Sequence, residues 1–416
     1  MAITARAATL IPTLNNLSPM STPSSLAGSA RWATFALAVG GFGIGTGEFA
    51  MMGLMPEVGV DLGISEPEVG HLISAYALGV VIGAPLLSIL AARMLRRRLL
   101  LMLMAMFAAG NFASVLVPGY LPILAMRFVS GLPHGAYFGV AALVAASMVA
   151  PNRRGQAIGR VMLGLTIAAL AGNPAATWLG QWMGWRAAFA SVGAIGLLTY
   201  VLIRAWVPEP QKAMTSSPMR ELGALRSEQV WLTLAIGAIG FGGLFAVFSY
   251  IAPTLTQITG LSASWVPVAL AVFGAGMIVG NIIGGWLADR ALIPSIGIVL
   301  VWTTIVLALF PFTAANPWLV FPNILLIGSS VALVAPLQIR LMDVAADAQT
   351  LAASLNHSAF NVANALGAWM GGMAISAGYG WTSTGWVGAG LAICGLLVFV
   401  LSLWRSARTR PGSAMA

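Results

Sequence analysis

The sequence predicts an all-α polytopic membrane protein with twelve transmembrane helices in two six-helix bundles, and three observations carry that reading. Of the 416 residues, 59% are hydrophobic and 7% charged, whereas soluble domains carry about 25% charged residues. With 20 Lys and Arg and 11 Asp and Glu, there is too little charge to cover a soluble protein of this size, so most of the surface faces lipid. The apolar stretches approach the roughly 20 residues of a membrane-crossing helix and outrun the ~10-residue alternating segments of a membrane barrel. One internal polar stretch, Val207 to Gln229, divides these runs into two sixes. The 48 Gly fit helices that approach closely in lipid.

Residues 1–30 are rich in Ser, Thr, Pro and Asn, and their one apolar stretch, Ala7 to Leu14, is interrupted by Pro12. A disordered cytoplasmic tail is expected there, not a cleaved signal peptide. The first bundle, 31–206, holds helices at 32–55, 68–91, 99–117, 121–149, 157–180 and 186–206, each bounded by its polar breaks. After the cytoplasmic linker 207–229, the second bundle, 230–404, holds helices at 230–252, 265–288, 295–314, 318–342, 350–378 and 385–404. A second cytoplasmic tail, 405–416, closes the chain. Cys394, the single cysteine, excludes an intramolecular disulfide and is expected to be a buried small hydrophobe.

Lys and Arg mark the cytoplasmic loops. One set of ends carries Arg6, Arg31, Arg93, Arg96, Arg97, Arg98, Arg153, Arg154, Arg160, Arg204, Lys212, Arg220, Arg226, Arg290, Arg340, Arg405, Arg408 and Arg410. Only Arg127 and Arg186 remain. Both termini are therefore expected in the cytoplasm, and Glu57, Asp61, Glu66 and Glu68 outside. The net charge of +9 is a topology signal and implies no nucleic-acid partner.

The halves repeat. At an offset of 197 residues, Arg93 falls on Arg290, Gly83 on Gly280, Gly79 on Gly276, Ser65 on Ser262, Gly63 on Gly260, Pro56 on Pro253, Gly45 on Gly242 and Gly43 on Gly240. Shared punctuation in the first two helices of each half is expected of two bundles related by an axis along the membrane normal.

Polar residues at bilayer depth face a cavity or a partner. Glu48 lies about two-thirds along helix 1, with Gly41, Gly45, Met52 and Met55 near its face. Two roles are open for it: a proton or cation site, or a static acid paired with Arg127 or His134. In helix 4, Arg127, Gly131, His134 and Phe138 share one face, with Tyr137 beside it. A guanidinium there holds a carboxylate or modulates its protonation, and His134 is either a proton carrier or a hydrogen-bonded core residue. In helix 11, His357, Asn361 and Asn364 share a face near Asn356 and Ser358, and either bridge helices or line a polar cavity. The cavity is the favoured reading, with Met52, Tyr137 and Phe138 as further lining. His71 is expected at the interface, and Asn111 and Asn281 as links between helices.

Several runs are recognisable. Gly285-Trp-Leu-Ala-Asp289-Arg290 resembles the G-x-L-A-D-R loop motif of the major facilitator superfamily, while the first-half copy has Ser88, Ala92 and Leu95 at its key positions and keeps Arg93, Arg96, Arg97 and Arg98. Arg127-x-x-x-Gly131-x-x-x-Gly135 resembles the helix 4 motif associated with proton coupling, and Pro151-Asn-Arg-Arg-Gly155 the loop after it. Gly172-Asn-Pro174-x-x-x-x-x-Gly180 is similar to a loosened antiporter motif. Glu48 with Gly53-Leu-Met-Pro56, and Asn356-His-Ser-Ala-Phe-Asn361, resemble the twelve-helix drug:proton antiporter subfamily and its arabinose-efflux and chloramphenicol-efflux branch.

The resemblance implies the major facilitator fold in a multi-pass inner-membrane protein. It implies proton-coupled efflux of small hydrophobic or neutral molecules by alternating access, through Glu48, Arg127 and His134. A sugar or nucleoside exporter, or a symporter of the same fold, is the alternative. It further implies that Asp289 carries more of the charge contact that holds the outward-facing state, given the degenerate first copy. The expected partners are lipid, protons and a small-molecule substrate. No cofactor beyond the proton gradient, no metal, and a monomer are expected. A membrane-embedded enzyme would need convergent acids, His or Cys, and three His with one Cys are a poor inventory.

Overall fold

The computed structural model describes residues 23–90, 94–150, 153–209, 226–345 and 349–408. α1 (Pro23–Gly53) is followed by a short helix, Met55–Leu62. α2 is Glu66–Leu90, α3 Arg96–Leu116 and α4 Tyr120–Ser147. α5 joins Arg154–Ile167, a π turn at Ala168–Gly172 and Asn173–Met183, and α6 is Trp185–Trp206. α7 joins Glu228–Ala235, a π turn at Ile236–Gly240 and Gly242–Phe248, with a short helix, Ile251–Gln257, behind it. Val266–Thr313 is two helices, α8 and α9, meeting at Ala291, where φ −157° and ψ 79° break the helix. α10 runs through Pro317–Gly328, the 3₁₀ turn Ser329–Leu333 and Val334–Val344. α11 is Gln349–Ala374 with a π turn at Ile375–Tyr379, and α12 is Ser383–Arg408.

Among the described residues, ten helical stretches are long and apolar enough to cross a membrane. The stretch Ala263–Thr313 contains both α8 and α9, and α11 completes the twelve. The expected boundaries shift at three places. α1 begins at Pro23, inside the expected N-terminal tail, because proline suits the first helical turn and Ser, Leu and Ala continue it. α7 begins at Glu228, inside the expected linker, and α12 continues to Arg408, past the expected 404. Residues 1–22, most of the linker and 409–416 lie outside the described residues, as does Arg93.

The repeat read from punctuation recurs as contact. A Cβ on Gly79 would overlap the Phe128 carbonyl oxygen, and one on Gly131 that of Tyr76, so α2 and α4 touch backbone to backbone. At the same offset, a Cβ on Gly276 would overlap the Leu325 carbonyl, and one on Gly328 that of Phe273, which sets α8 against α10 in the same way. Glycine permits such approach where no hydrophobic drive holds helices together. Gly63 and Gly260, paired by the repeat, both take left-handed backbone, φ 63° and 73°, after the short helices that contain Pro56 and Pro253.

With twelve crossings between them, the described ends, Pro23 and Arg408, fall on one side, here called the terminal side. The far side is closed by contacts between bundles. Gln181 donates to the Ala263 carbonyl at 2.9 Å, Gln257 to Glu66 at 3.3 Å and Ser74 to the Ala365 carbonyl at 3.1 Å. Phe49 stacks on Phe245 and meets Phe248 edge-on, with centroids 6.1 and 5.8 Å apart.

Within the first bundle, Asp61 on the far side accepts from Arg186 and from the Trp185 indole at 3.0 Å. Arg186, and then Trp185, hold the Asp61 carboxyl below its ordinary 3.8. A depressed carboxyl contributes stability that is present above its unfolded pKa of about 3.9 and is lost as pH falls through the lower folded value. The expected result is a constant difference in unfolding temperature between the wild type and Asp61→Asn from about pH 7 to 5, closing below about pH 4. A difference that widens with acidification would contradict this.

Candidate functional site

The intramembrane polar residues converge on the seam between the bundles. Glu48 on α1 is 5% exposed, and its Oε1 accepts from Asn364 Nδ2 on α11 at 3.4 Å. Among the described residues, no ion pair joins Glu48 to Arg127 or His134. The static pairing considered from sequence is therefore replaced by a contact that crosses the bundles.

Arg127 on α4 is fully buried. Its Nη1 donates to the Gly47 carbonyl at 3.1 Å, and its guanidinium lies 4.5 Å from the centre of the Tyr76 ring and 5.1 Å from that of Phe189. A desolvated cation over aromatic faces gains about 2 kcal/mol, which offsets part of the cost of burying it. Nε and Nη2 have no hydrogen-bond partner among the described residues. Two donors beside Glu48's own backbone are thus uncommitted in this conformation.

His134, two turns along α4 on the same face, shares a hydrogen bond between Nδ1 and the Tyr76 hydroxyl at 3.2 Å. Phe138 lies 5.3 Å from the His134 ring and stacks flat on His357 of α11, with centroids 5.7 Å apart and planes 8° from parallel. Arg127, Tyr76, His134, Phe138 and His357 form a continuous chain of rings and polar groups running from the centre toward the terminal side.

The remaining expected lining residues are placed in packed surroundings. Met52, Tyr137, Phe138, Asn356, Asn361 and Asn364 are all 5% exposed or less. The Tyr137 hydroxyl donates to the Leu37 carbonyl at 2.8 Å, tying α4 to α1. Asn356 donates to Gln338 of α10 at 2.6 Å, and Asn361 to the His357 carbonyl of its own helix at 3.1 Å. In this conformation these amides bridge or bond locally.

The antiporter-like segment shapes α5. Pro174 removes a backbone donor just after the π turn that ends at Gly172, and the one-residue slip absorbs its ring. A Cβ on Gly172 would meet Thr46 and Phe42, and one on Gly180 would meet Leu54, so both glycines serve the α1–α5 contact. At the α8–α9 turn, Asp289 and Arg290 are exposed, with Arg290 lying 3.8 Å over the Trp286 ring and Gly285 in open space. Asp289 makes no ion pair among the described residues.

Four lesser expectations resolve as follows. His71 bonds Tyr120 at 3.0 Å in an exposed position. Asn111 donates to Phe107 on its own helix at 2.8 Å and does not bridge helices through that amide, while Asn281 is exposed on α8. Cys394 is exposed on α12 beside Ile393 and Leu397 and is not buried, because a small apolar side chain facing lipid needs no protein cover. Tyr76 was missed, since nothing in its sequence surroundings shows that α2 and α4 touch at Gly79 and Gly131.

A cavity of about 1040 Å³ lies on the terminal side of the first bundle, between α1, α4 and α5. Its wall includes Arg31, Thr34 and Phe42 from α1 and Arg160 and Leu163 from α5, with Arg153 just before α5. From sequence, Arg31 and Arg160 are topology charges, and Arg153 is one as well as part of the Pro151 to Gly155 loop run.

Two helical bundles of membrane-spanning length that meet at a buried polar seam, with the far side shut by contacts between them, are the architecture of a membrane transporter. The chain belongs to the Major Facilitator Superfamily, whose family model matches residues 37–349. It is 40% identical over 381 residues to the inner membrane transport protein YdhP of Escherichia coli strain K12, covering 90% of this chain and 96% of that one. It is 32% identical to a chloramphenicol resistance protein of Streptomyces lividans, over 80% of this chain and 86% of that protein. A bacterial homologue of the human lysosomal transporter Spinster, solved inward-facing and unoccupied, superposes with a TM-score of 0.74 at 16% identity, over 93% of this chain and 99% of the other.

Proposed function

We propose that the protein is a proton-coupled exporter of small hydrophobic or neutral molecules, of drug or sugar type, working by alternating access as a monomer in the inner membrane. The observation that carries this reading is the Glu48–Asn364 contact, because it places the single deep carboxyl directly on the surface where the bundles separate. A protonated Glu48 keeps its contact with Asn364 and holds the far side closed. An ionised Glu48 is drawn to the uncommitted donors of Arg127 within its own bundle, which releases α11 and favours opening on the far side. Proton uptake from outside then resets the cycle, and each proton moved down 100 mV supplies about 2.3 kcal/mol. The charge distribution along the chain orients the terminal side to the cytoplasm, which makes the terminal side the loading side for export. The similarity to a chloramphenicol resistance protein supports an efflux reading.

The experiment is proton release from energised proteoliposomes on addition of chloramphenicol, cationic dyes, pentoses and nucleosides in turn. Release with one class identifies coupled antiport and its substrate. Proton uptake together with substrate would favour symport of a sugar or nucleoside, and substrate flux with no proton movement would contradict coupling.

A further inference from the structure

We infer that the terminal-side cavity of the first bundle binds an anionic amphiphile drawn from the adjoining leaflet, with a phosphate-bearing head held by Arg31, Arg153 and Arg160 and its chain laid along α1 and α5. Three features of the cavity lead there. The first is charge. Among the described residues, none of the three guanidinium groups has an ion pair, hydrogen bond or ring contact, and none of those lining the cavity is acidic. Accumulation of positive charge on this face follows from membrane topology, but topology does not require arginines from two separate segments to converge on one hollow.

The second feature is the order of chemistry with depth. Along α1 the wall passes from Arg31 through Thr34 to Ala38 and Phe42, and along α5 from Arg153 and Arg160 to Leu163 and Ile167. Both sequences put cationic donors at the mouth and apolar surface below. From Arg31 to Phe42 the wall is about 16 Å long at 1.5 Å per residue. Leu163 and Ile167 remain 52% exposed, leaving apolar surface for a chain to cover.

The third feature is size. At about 1040 Å³ the cavity is at the upper end of the ~300–1,000 Å³ usual for small-molecule sites, far more than a bare phosphate fills. A free anion would satisfy the arginines and leave the apolar wall wet, and an uncharged chain would leave three cations unpaired, so a molecule with both parts fits best. A face oriented to the cytoplasm meets the leaflet where anionic headgroups concentrate. This site concerns binding at the mouth and holds whether or not Glu48 couples protons.

The test uses the delipidated full-length protein in a neutral maltoside detergent. Lysophosphatidylglycerol is titrated against it, with bound copies counted by native mass spectrometry and the unfolding temperature followed in parallel. The expected result is one saturable equivalent that raises the unfolding temperature. Binding should weaken about tenfold or more in the combined variant Arg31→Gln, Arg153→Gln, Arg160→Gln, and should be unchanged in Arg408→Gln, a control that removes one charge away from the cavity and matches each single variant. The unliganded unfolding temperature reports whether the triple variant is folded. If it is not, the three single variants, each expected to weaken binding several-fold, take its place. Equal binding of lysophosphatidylcholine, or equal binding by the arginine variants, would overturn the charged-head assignment. Saturation and stabilisation by inorganic phosphate alone would show a free-anion site and overturn the amphiphile.

Discussion

Glu48→Gln is expected to abolish substrate-linked proton release and substrate accumulation while leaving the protein folded. The amide is nearly isosteric with the carboxyl and keeps an oxygen that can accept from Asn364 Nδ2, so the contact at 3.4 Å that joins α1 to α11 survives. What disappears is the change of charge. The variant is fixed in the protonated-like arrangement, and Arg127 loses the anion that would otherwise draw α1's carboxyl to its free Nε and Nη2. The magnitude follows from the coupling. One proton falling through 100 mV sustains about a 50-fold gradient of a neutral substrate, and that gradient should collapse to about one in the variant. Vesicles carrying a lumenal pH dye and radiolabelled substrate measure both quantities at once. Unchanged accumulation with unchanged proton release would show that Glu48 is a structural acid, and substrate crossing equally in both without any proton movement would make the protein a facilitator.

A single methyl group at Gly131 is the second large effect. Gly131→Ala places a Cβ against the Tyr76 carbonyl oxygen, a backbone atom that cannot rotate away, where α2 and α4 meet backbone to backbone. Overpacking of a tight contact costs about 1–3 kcal/mol, and the displacement also moves Tyr76, which supports both Arg127 and His134. Thermal unfolding in detergent should show the loss, and transport should fall with it. Gly328→Ala, which meets the Phe273 carbonyl at the matching place in the second bundle, should be destabilised to a similar degree. Gly285→Ala, where an added Cβ has nothing within 4 Å, should stay within about 0.5 kcal/mol of the wild type. If all three variants unfolded alike, the crossing would not be the cause.

Much of the architecture is legible in the chain because lipid imposes simple rules. The apolar runs, the single linker and the arginine distribution define helix number and pairing of ends, and the 197-residue offset places Gly79 on Gly276 before any contact is known. The same simplicity exposes Glu48, Arg127 and His134, since ionisable residues are rare in such runs. Partnership is what the sequence withholds. Glu48 and Asn364 are 316 positions apart, and their meeting depends on how one bundle is seated on the other. Tyr76 reads as an ordinary helix residue until the Gly79 and Gly131 crossing brings it under Arg127. Cys394 was misjudged because an apolar residue is equally at home in a core and against lipid. Asn356 was read as lining, and its bond to Gln338 required the approach of α10 to α11.

The two ends of the seam are built with different redundancy. On the far side, Gln181, Gln257, Ser74 and the Phe49 cluster all engage the opposite bundle, and each hydrogen bond is worth about 1 kcal/mol. Several weak links between two rigid bodies behave as a multivalent clasp. Losing one leaves its groups close to their partners through the others, so the closed state tolerates single defects there. Toward the terminal side, no second ring contact between bundles accompanies the Phe138–His357 stack among the described residues. Sequence drift at the far side is therefore buffered, while the same drift at Phe138 or His357 is felt at once.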